Sequence, residues 1–142
     1  MDEVMGRMLA IESALSAQVG SLSVSANLLA PNEADGVPVM RMCIEGQEEI
    51  PVFVTASPHQ VLCICYLWTE REVRPERRAD MLEAMMDLNI AIPLSNFGRI
   101  GEYYVIFGAL AADASPESIA TDVAMAADNA LEALEVFNEF LM

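Results

Sequence analysis

With 142 residues, 54% of them apolar and a formal charge of −15, the chain is long enough for one self-supporting core and too apolar for intrinsic disorder. All seven positive charges are arginines, and a surface this negative repels phosphate backbones, which makes nucleic acid a poor partner. No apolar run reaches the roughly 18–20 residues that cross a bilayer, and the acidic start MDEVMGRMLAIESALSAQ lacks a signal peptide's basic-then-apolar order. A cytoplasmic protein without a membrane span is expected.

Taken in chain order, Val4, Met8, Ile11 and Leu15 recur at helical spacing and predict an amphipathic helix that ends at Gly20 and Ser21. In SLSVSANLL, Leu22, Val24, Ala26 and Leu28 alternate with Ser21, Ser23, Ser25 and Asn27, the period of a strand with one wet face. PNEADG (31–36) is turn chemistry before the strand VPVMRMCI, and EGQEE (45–49) is a second turn before IPVFVTA. Pro38 and Pro51 stand near strand starts, where a missing amide donor is tolerated. SPHQ reverses the chain into QVLCICYLW, apolar on both faces and so a central strand. The middle of the chain reads as an antiparallel meander.

Pro75 suits a first helical turn, with Met81, Leu82, Met85 and Leu88 as the apolar stripe behind it and Asn89 as a left-handed C-terminal residue. In IPLSNFGRIGEYYVIFGAL (92–110), two apolar runs flank the segment Gly98 to Gly101, a hairpin signal, with Ile92 and Leu94 in the first run. Gly108 weakens the second run near its end. Ser115 and Pro116 then open a long helix, whose stripe is Ile119, Val123, Ala126, Ala130, Leu134, Phe137 and Leu141. Asp122, Asp128, Glu132, Glu135 and Glu139 are expected to face away from it. The sum is one α+β domain over 1–142, an antiparallel sheet packed by helices in the order helix, three or four strands, helix, two strands, helix.

Few residues suggest chemistry. Cys43, Cys63 and Cys65 lie in apolar, strand-like runs and read as reduced, buried thiols. His59, Cys63 and Cys65 share odd parity, so a single strand would turn all three to one face, but the spacing matches no zinc motif. Ser95 would need His59, the one histidine, as its base, and no nucleophile-elbow signature surrounds it. The glycines at 98 and 101 precede a strand, whereas a phosphate loop needs a helix N-terminus there. The expectation is no enzyme, no cofactor and no metal, with a small metal-binding protein or enzyme using His59, Cys63 and Cys65 or Ser95 as the alternative.

The stretch NIAIPLSNFGRIGEYYVIFGAL, followed by an acidic SP and a long helix, resembles the uncharacterised bacterial family typified by YjfI. That resemblance implies no established activity and no catalytic residue. The family's gene context beside PspA homologues implies a role near envelope stress. In element order and charge the chain is also similar to type III secretion chaperones and YbjN-like proteins, which implies a dimer that binds another polypeptide.

Arg71, Arg74, Arg77 and Arg78 are interleaved with Glu70, Glu72, Glu76 and Asp80. They read either as a solvated helix start paired with its own acids or as a contact for an acidic partner helix or an anionic lipid surface. Of ten methionines, Met8, Met81 and Met85 fall on core stripes, whereas Met5, Met86 and Met125 suit an adaptable apolar surface. The functional expectation is a non-catalytic, dimeric protein-binding adaptor or chaperone-like module, with a PspA-like protein as the implied partner.

Overall fold

The computed structural model describes Gly6 and residues 8–11, 24–29, 39–44 and 49–142. Val4, Met5, Leu15, the helix end at Gly20 and Ser21, Leu22, the 31–36 turn, Pro38 and most of the 45–49 turn lie outside the described residues. Gly6 and residues 8–11 are helical, with Met8 and Ile11 buried as the stripe requires.

Six strands form one antiparallel sheet: β1 (Val24–Leu29), β2 (Val39–Ile44), β3 (Val52–Ala56), β4 (Gln60–Thr69), β5 (Asn96–Ile100) and β6 (Tyr103–Ala111). Their order across the sheet is β1-β2-β3-β4-β6-β5, a four-strand meander extended by a hairpin whose second strand sits beside β4. Besides the N-terminal helical residues, two α-helices pack in the described fold, α1 (Arg78–Leu88) and α2 (Pro116–Val136). This is the α+β architecture expected from the residue pattern.

Period two places Val52, Val54 and Ala56 on one face of β3, with Val61, Cys63 and Cys65 beside them on β4. Between Tyr66 and Trp68 the register shifts, so the parity of β4 flips and Trp68 rather than Leu67 becomes fully enclosed. Trp68 then meets Phe137 at 5.6 Å and Tyr104 at 6.2 Å between ring centroids. Phe137 also packs edge-on to Phe97 at 5.2 Å.

The long helix begins where Ser115 caps it, its Oγ accepting from the Ser118 amide at 3.2 Å, with Pro116 in the first turn. Its inward face is small: Ala120, Ala126, Ala127, Ala130 and Ala133 are all buried around Ile119 and Val123. Methyl side chains let the helix axis approach β4 and β6 closely, and the sheet supplies the volume through Met40, Met42 and Trp68.

Four expectations are corrected. Pro75 opens a separate 3-10 turn (Pro75–Arg77), and the α-helix starts only at Arg78. Asn89 is right-handed, at φ −54°, and its side chain acts instead: Oδ1 accepts from the Phe97 amide at 2.6 Å. The first hairpin strand is Asn96–Ile100, not the run around Ile92 and Leu94. Its turn is Gly101–Glu102, with Gly101 at φ +59° in the first of two central positions, as a type II′ turn requires. Asp122 lies in the interface between α2 and the sheet rather than facing away.

The alanine stripe sets a testable limit on volume. Ala126→Leu is expected to destabilise the fold by about 1–3 kcal/mol, because the added carbons have no space between helix and sheet. Urea unfolding of both proteins measures the difference.

Candidate functional site

Between α1 and β5 the chain runs through residues 89–95, a loop packed over α2. Asn129 of α2 holds it from below, Nδ2 donating to the Pro93 carbonyl at 3.0 Å and to Ser95 Oγ at 3.0 Å. Asn89 holds it from the side through the Phe97 amide. With both ends tied, Leu94 is kept at φ +62°, a left-handed conformation that a leucine rarely adopts. The loop presents Leu94 (59% exposed) and Ile90 (93% exposed) to solvent.

A hollow lies on each side of this loop. The larger, about 660 Å³, is lined by Asn89, Ile92, Leu94, Ser95, Asn96, the end of β6 from Ala109 to Ala111, and Ser118, Thr121 and Asp122 of α2. The smaller, about 260 Å³, is more apolar and lies among Leu88, Ala91, Ile92, Pro93, Phe97, Ala133, Val136 and Phe137.

Asp122 stands over the sheet where Gly108 leaves room: a Cβ at Gly108 would come within 2.2 Å of Asp122 Oδ2. That oxygen is buried without a hydrogen-bond partner, while the Cys63 thiol bonds to the carboxyl group. Burial pushes the Asp122 carboxyl above the usual range, and the Cys63 bond only partly offsets it. Burial and the same carboxylate push the Cys63 thiol up and the Cys65 thiol up to about 12. Both thiols therefore stay protonated and poorly nucleophilic at neutral pH.

The three proposed zinc ligands do not converge. His59 is exposed in the turn before β4, its amide donating to Ser57 Oγ at 3.1 Å, whereas Cys63 and Cys65 are sealed under α2. Among the described residues no cluster of three or more metal-ligating side chains exists. Ser95 is buried and bonded to Asn129, with no described contact to His59.

The arginines are largely engaged within the chain. Arg78 Nε donates to Glu70, whose other oxygen accepts from Tyr104 Oη at 2.5 Å, and Arg99 Nη2 lies 4.0 Å from the same carboxylate. The Tyr104 bond, then Arg78, holds the Glu70 carboxyl below its ordinary range. Arg77 bonds Glu139 at 2.9 Å and Asp80 at 3.3 Å and lies over the Phe140 ring. Arg74 Nε donates to the Leu141 carbonyl at 2.8 Å, beside the bridge that pairs Val73 with Leu141. Arg71 is 86% exposed, 3.9 Å from Glu102.

Reading by type missed Asp122 and Asn129, and the signal was present for both. Each falls on the buried stripe of α2, at three residues from Ile119 and from Ala126, where an apolar residue is expected.

The family described as "Uncharacterized protein conserved in bacteria" (DUF2170) matches residues 9–141. The chain belongs to that family. No curated protein matches it. Among solved structures, a chain in the "Structure of the HopA1-SchA Chaperone-Effector Complex" is similar with a TM-score of 0.59 at 11% identity, covering 93% of this chain and 94% of that one. A chain in the "Crystal Structure of the ExsC-ExsE Complex" gives 0.57 at 10% identity, covering 95% and 96%. At such identities the likeness is one of fold, and it agrees with the secretion-chaperone-like architecture expected from element order. No helix among the described residues is long and apolar enough to cross a membrane.

Asp122 makes a pH-dependent prediction. Its folded pKa is raised, so its contribution to stability is fully present below the unfolded value of 3.8 and is lost as pH rises through the folded pKa. Relative to wild type, Asp122→Asn is therefore expected to be more favourable at about pH 7.5 than at about pH 4. Glu70, with a lowered pKa, acts in the opposite direction, but its effect cancels in the difference between the two proteins. Urea midpoints of both proteins across that range check the sign.

Proposed function

We propose that this protein is a non-catalytic, chaperone-like module of the cytoplasm, one domain over 1–142, that binds an apolar segment of another polypeptide beside the 89–95 loop. The observation that carries this reading is Leu94. A strained left-handed leucine with its side chain in solvent lowers stability by roughly 1–2 kcal/mol, and a glycine there would be relaxed. Strain of this kind is retained where the exposed group has a use.

Ile90 and Leu94 would cover an incoming segment; Leu94 lines the 660 Å³ hollow, and the 260 Å³ hollow on the other side of the loop has room for one large apolar side chain. Surrounding carboxylates favour a segment with flanking basic residues. Arg71, the exposed member of the arginine cluster, has reach for a partner's carboxylate, whereas Arg74, Arg77 and Arg78 would join such a contact only by giving up bonds within the fold. The YjfI-type resemblance makes a PspA-like protein the first partner to test, and the module is taken to act as a homodimer.

Photo-crosslinking from position 90 in cells, followed by titration of the recovered partner and of a PspA-like protein, tests the reading. Ile90→Ser combined with Leu94→Gly is expected to weaken capture at least tenfold while raising stability by up to about 1 kcal/mol. Undiminished capture by that double variant would overturn the reading. Arg71→Glu is expected to weaken an acidic partner several-fold without moving Tm, whereas Arg78→Ala lowers Tm by removing the donor to one oxygen of Glu70.

A further inference from the structure

Charge is sorted within this molecule. All 22 acidic residues lie outside the six strands, so no strand carries a carboxylate. Helix α2 packs on one face of the sheet. On the opposite face, Phe53, Leu62, Ile64 and Phe107 are only half-buried, and Tyr66 and Tyr103 are 43% and 44% exposed. Three of the rings run across β3, β4 and β6 in edge-to-face contacts, Phe53 to Tyr66 at 5.8 Å and Tyr66 to Tyr103 at 5.4 Å. Arg41 stands opposite Phe53 in the strand register, and Arg99 borders the hollow beside Leu62, Ile64 and Phe107, so the charges that reach this face among the described residues are positive.

We propose that two copies of the chain associate through this face, sheet on sheet. This rests on the dimeric reading above and names its surface. The largest contiguous apolar patch on a protein surface is often a functional one. The five strands β2 to β6, at about 4.8 Å spacing and about 18 Å length, present on the order of 400 Å² in plan. Small specific interfaces bury roughly 600–800 Å² of accessible surface per partner, and aromatic side chains standing off the sheet add to the area in plan.

Charge selects the occupant. Two bodies of −15 each repel wherever their acidic shells meet. Face-to-face sheets, about 10 Å apart, put both helix layers on the outer sides, separated by well over the ~8 Å screening length at physiological salt. The carboxylate-free face is thus the approach of least repulsion for a second copy. A basic partner finds no countercharge on it and is drawn to the helix side instead.

Sedimentation velocity and light scattering over about 10–300 μM test this. Wild type is expected to show a concentration-dependent dimer. Tyr66→Glu with Tyr103→Glu, which sets carboxylates in the interface, is expected to be monomeric with unchanged far-UV circular dichroism. The milder Tyr66→Ser with Tyr103→Ser is expected to weaken association at least tenfold, and serves where the charged pair does not fold. Met86→Glu with Ile90→Glu, on the helix side, is expected to leave the dimer intact. A monomeric wild type overturns the proposal, as does a dimer that survives both sheet-face pairs or is lost in the helix-side pair. Loss of partner capture in the sheet-face variants of a monomeric protein would assign the face to a foreign polypeptide. Capture at position 90 is read separately, so the two ideas fail independently.

Discussion

The close seating of α2 on β4 and β6 is the constraint from which the rest of the described fold follows. Its alanine stripe brings the helix backbone near the sheet, and Gly108 removes the one side chain that would collide with Asp122. Because the helix contributes so little volume, the core must be filled from below by Met40, Met42, Trp68 and the Phe137 group. Unbranched methionines suit that task, since they adapt to the gaps between methyl groups. The same seating carries Asn129 under the 89–95 loop, so the loop's shape is set by the helix and not by its own sequence.

The strong negative charge is arranged around this seating. Seven arginines cannot balance 22 acids, and several are used where a buried or crowded group needs them. Arg78 and Arg99 both address Glu70, which in turn holds the hydroxyl of Tyr104. Arg74 and the Val73–Leu141 bridge tie the segment after β4 to the C-terminal residues, as does the Met142 amide bond to the Glu72 carbonyl. Exposed ion pairs contribute little individually, but this set closes one end of the core over Trp68 and Phe137. The arginine cluster is therefore first an internal fastening, and its charge is mostly spent before any partner arrives.

Most of the fold was legible in the sequence because period two and period 3.6 are direct consequences of burial on one face. The meander and the long helix follow from that rule, and the Ser115 cap from the need of the first helical amides for an acceptor. What local pattern could not supply was register and long-range contact. Ile92 and Leu94 look like strand residues by composition, yet Asn129, 34 to 36 residues later, holds their neighbours Pro93 and Ser95 in a loop. The strand thus begins at Asn96. Asn89 resembled a helix terminator of the left-handed type, but its side chain had a better partner in the Phe97 amide. Asp122 was read as a surface acid because charge normally marks the wet face. Its place on the buried stripe, three residues from Ile119, points inward, and the missing side chain at Gly108, on a distant strand, supplies the space it occupies.

Asp122 and Leu94 are local violations of the rules that the remainder obeys, one a buried acid with an unpartnered oxygen, the other an apolar residue in strained backbone. They border the same 660 Å³ hollow. A sequence selected for stability alone would replace both at no structural difficulty, Leu94 by glycine and Asp122 by a small apolar residue. Sites where local preference and global fold disagree are where function is usually held. Both disagreements border one hollow on the helix side of the sheet, beside the 89–95 loop and next to Cys63, which is the surface proposed above for a partner.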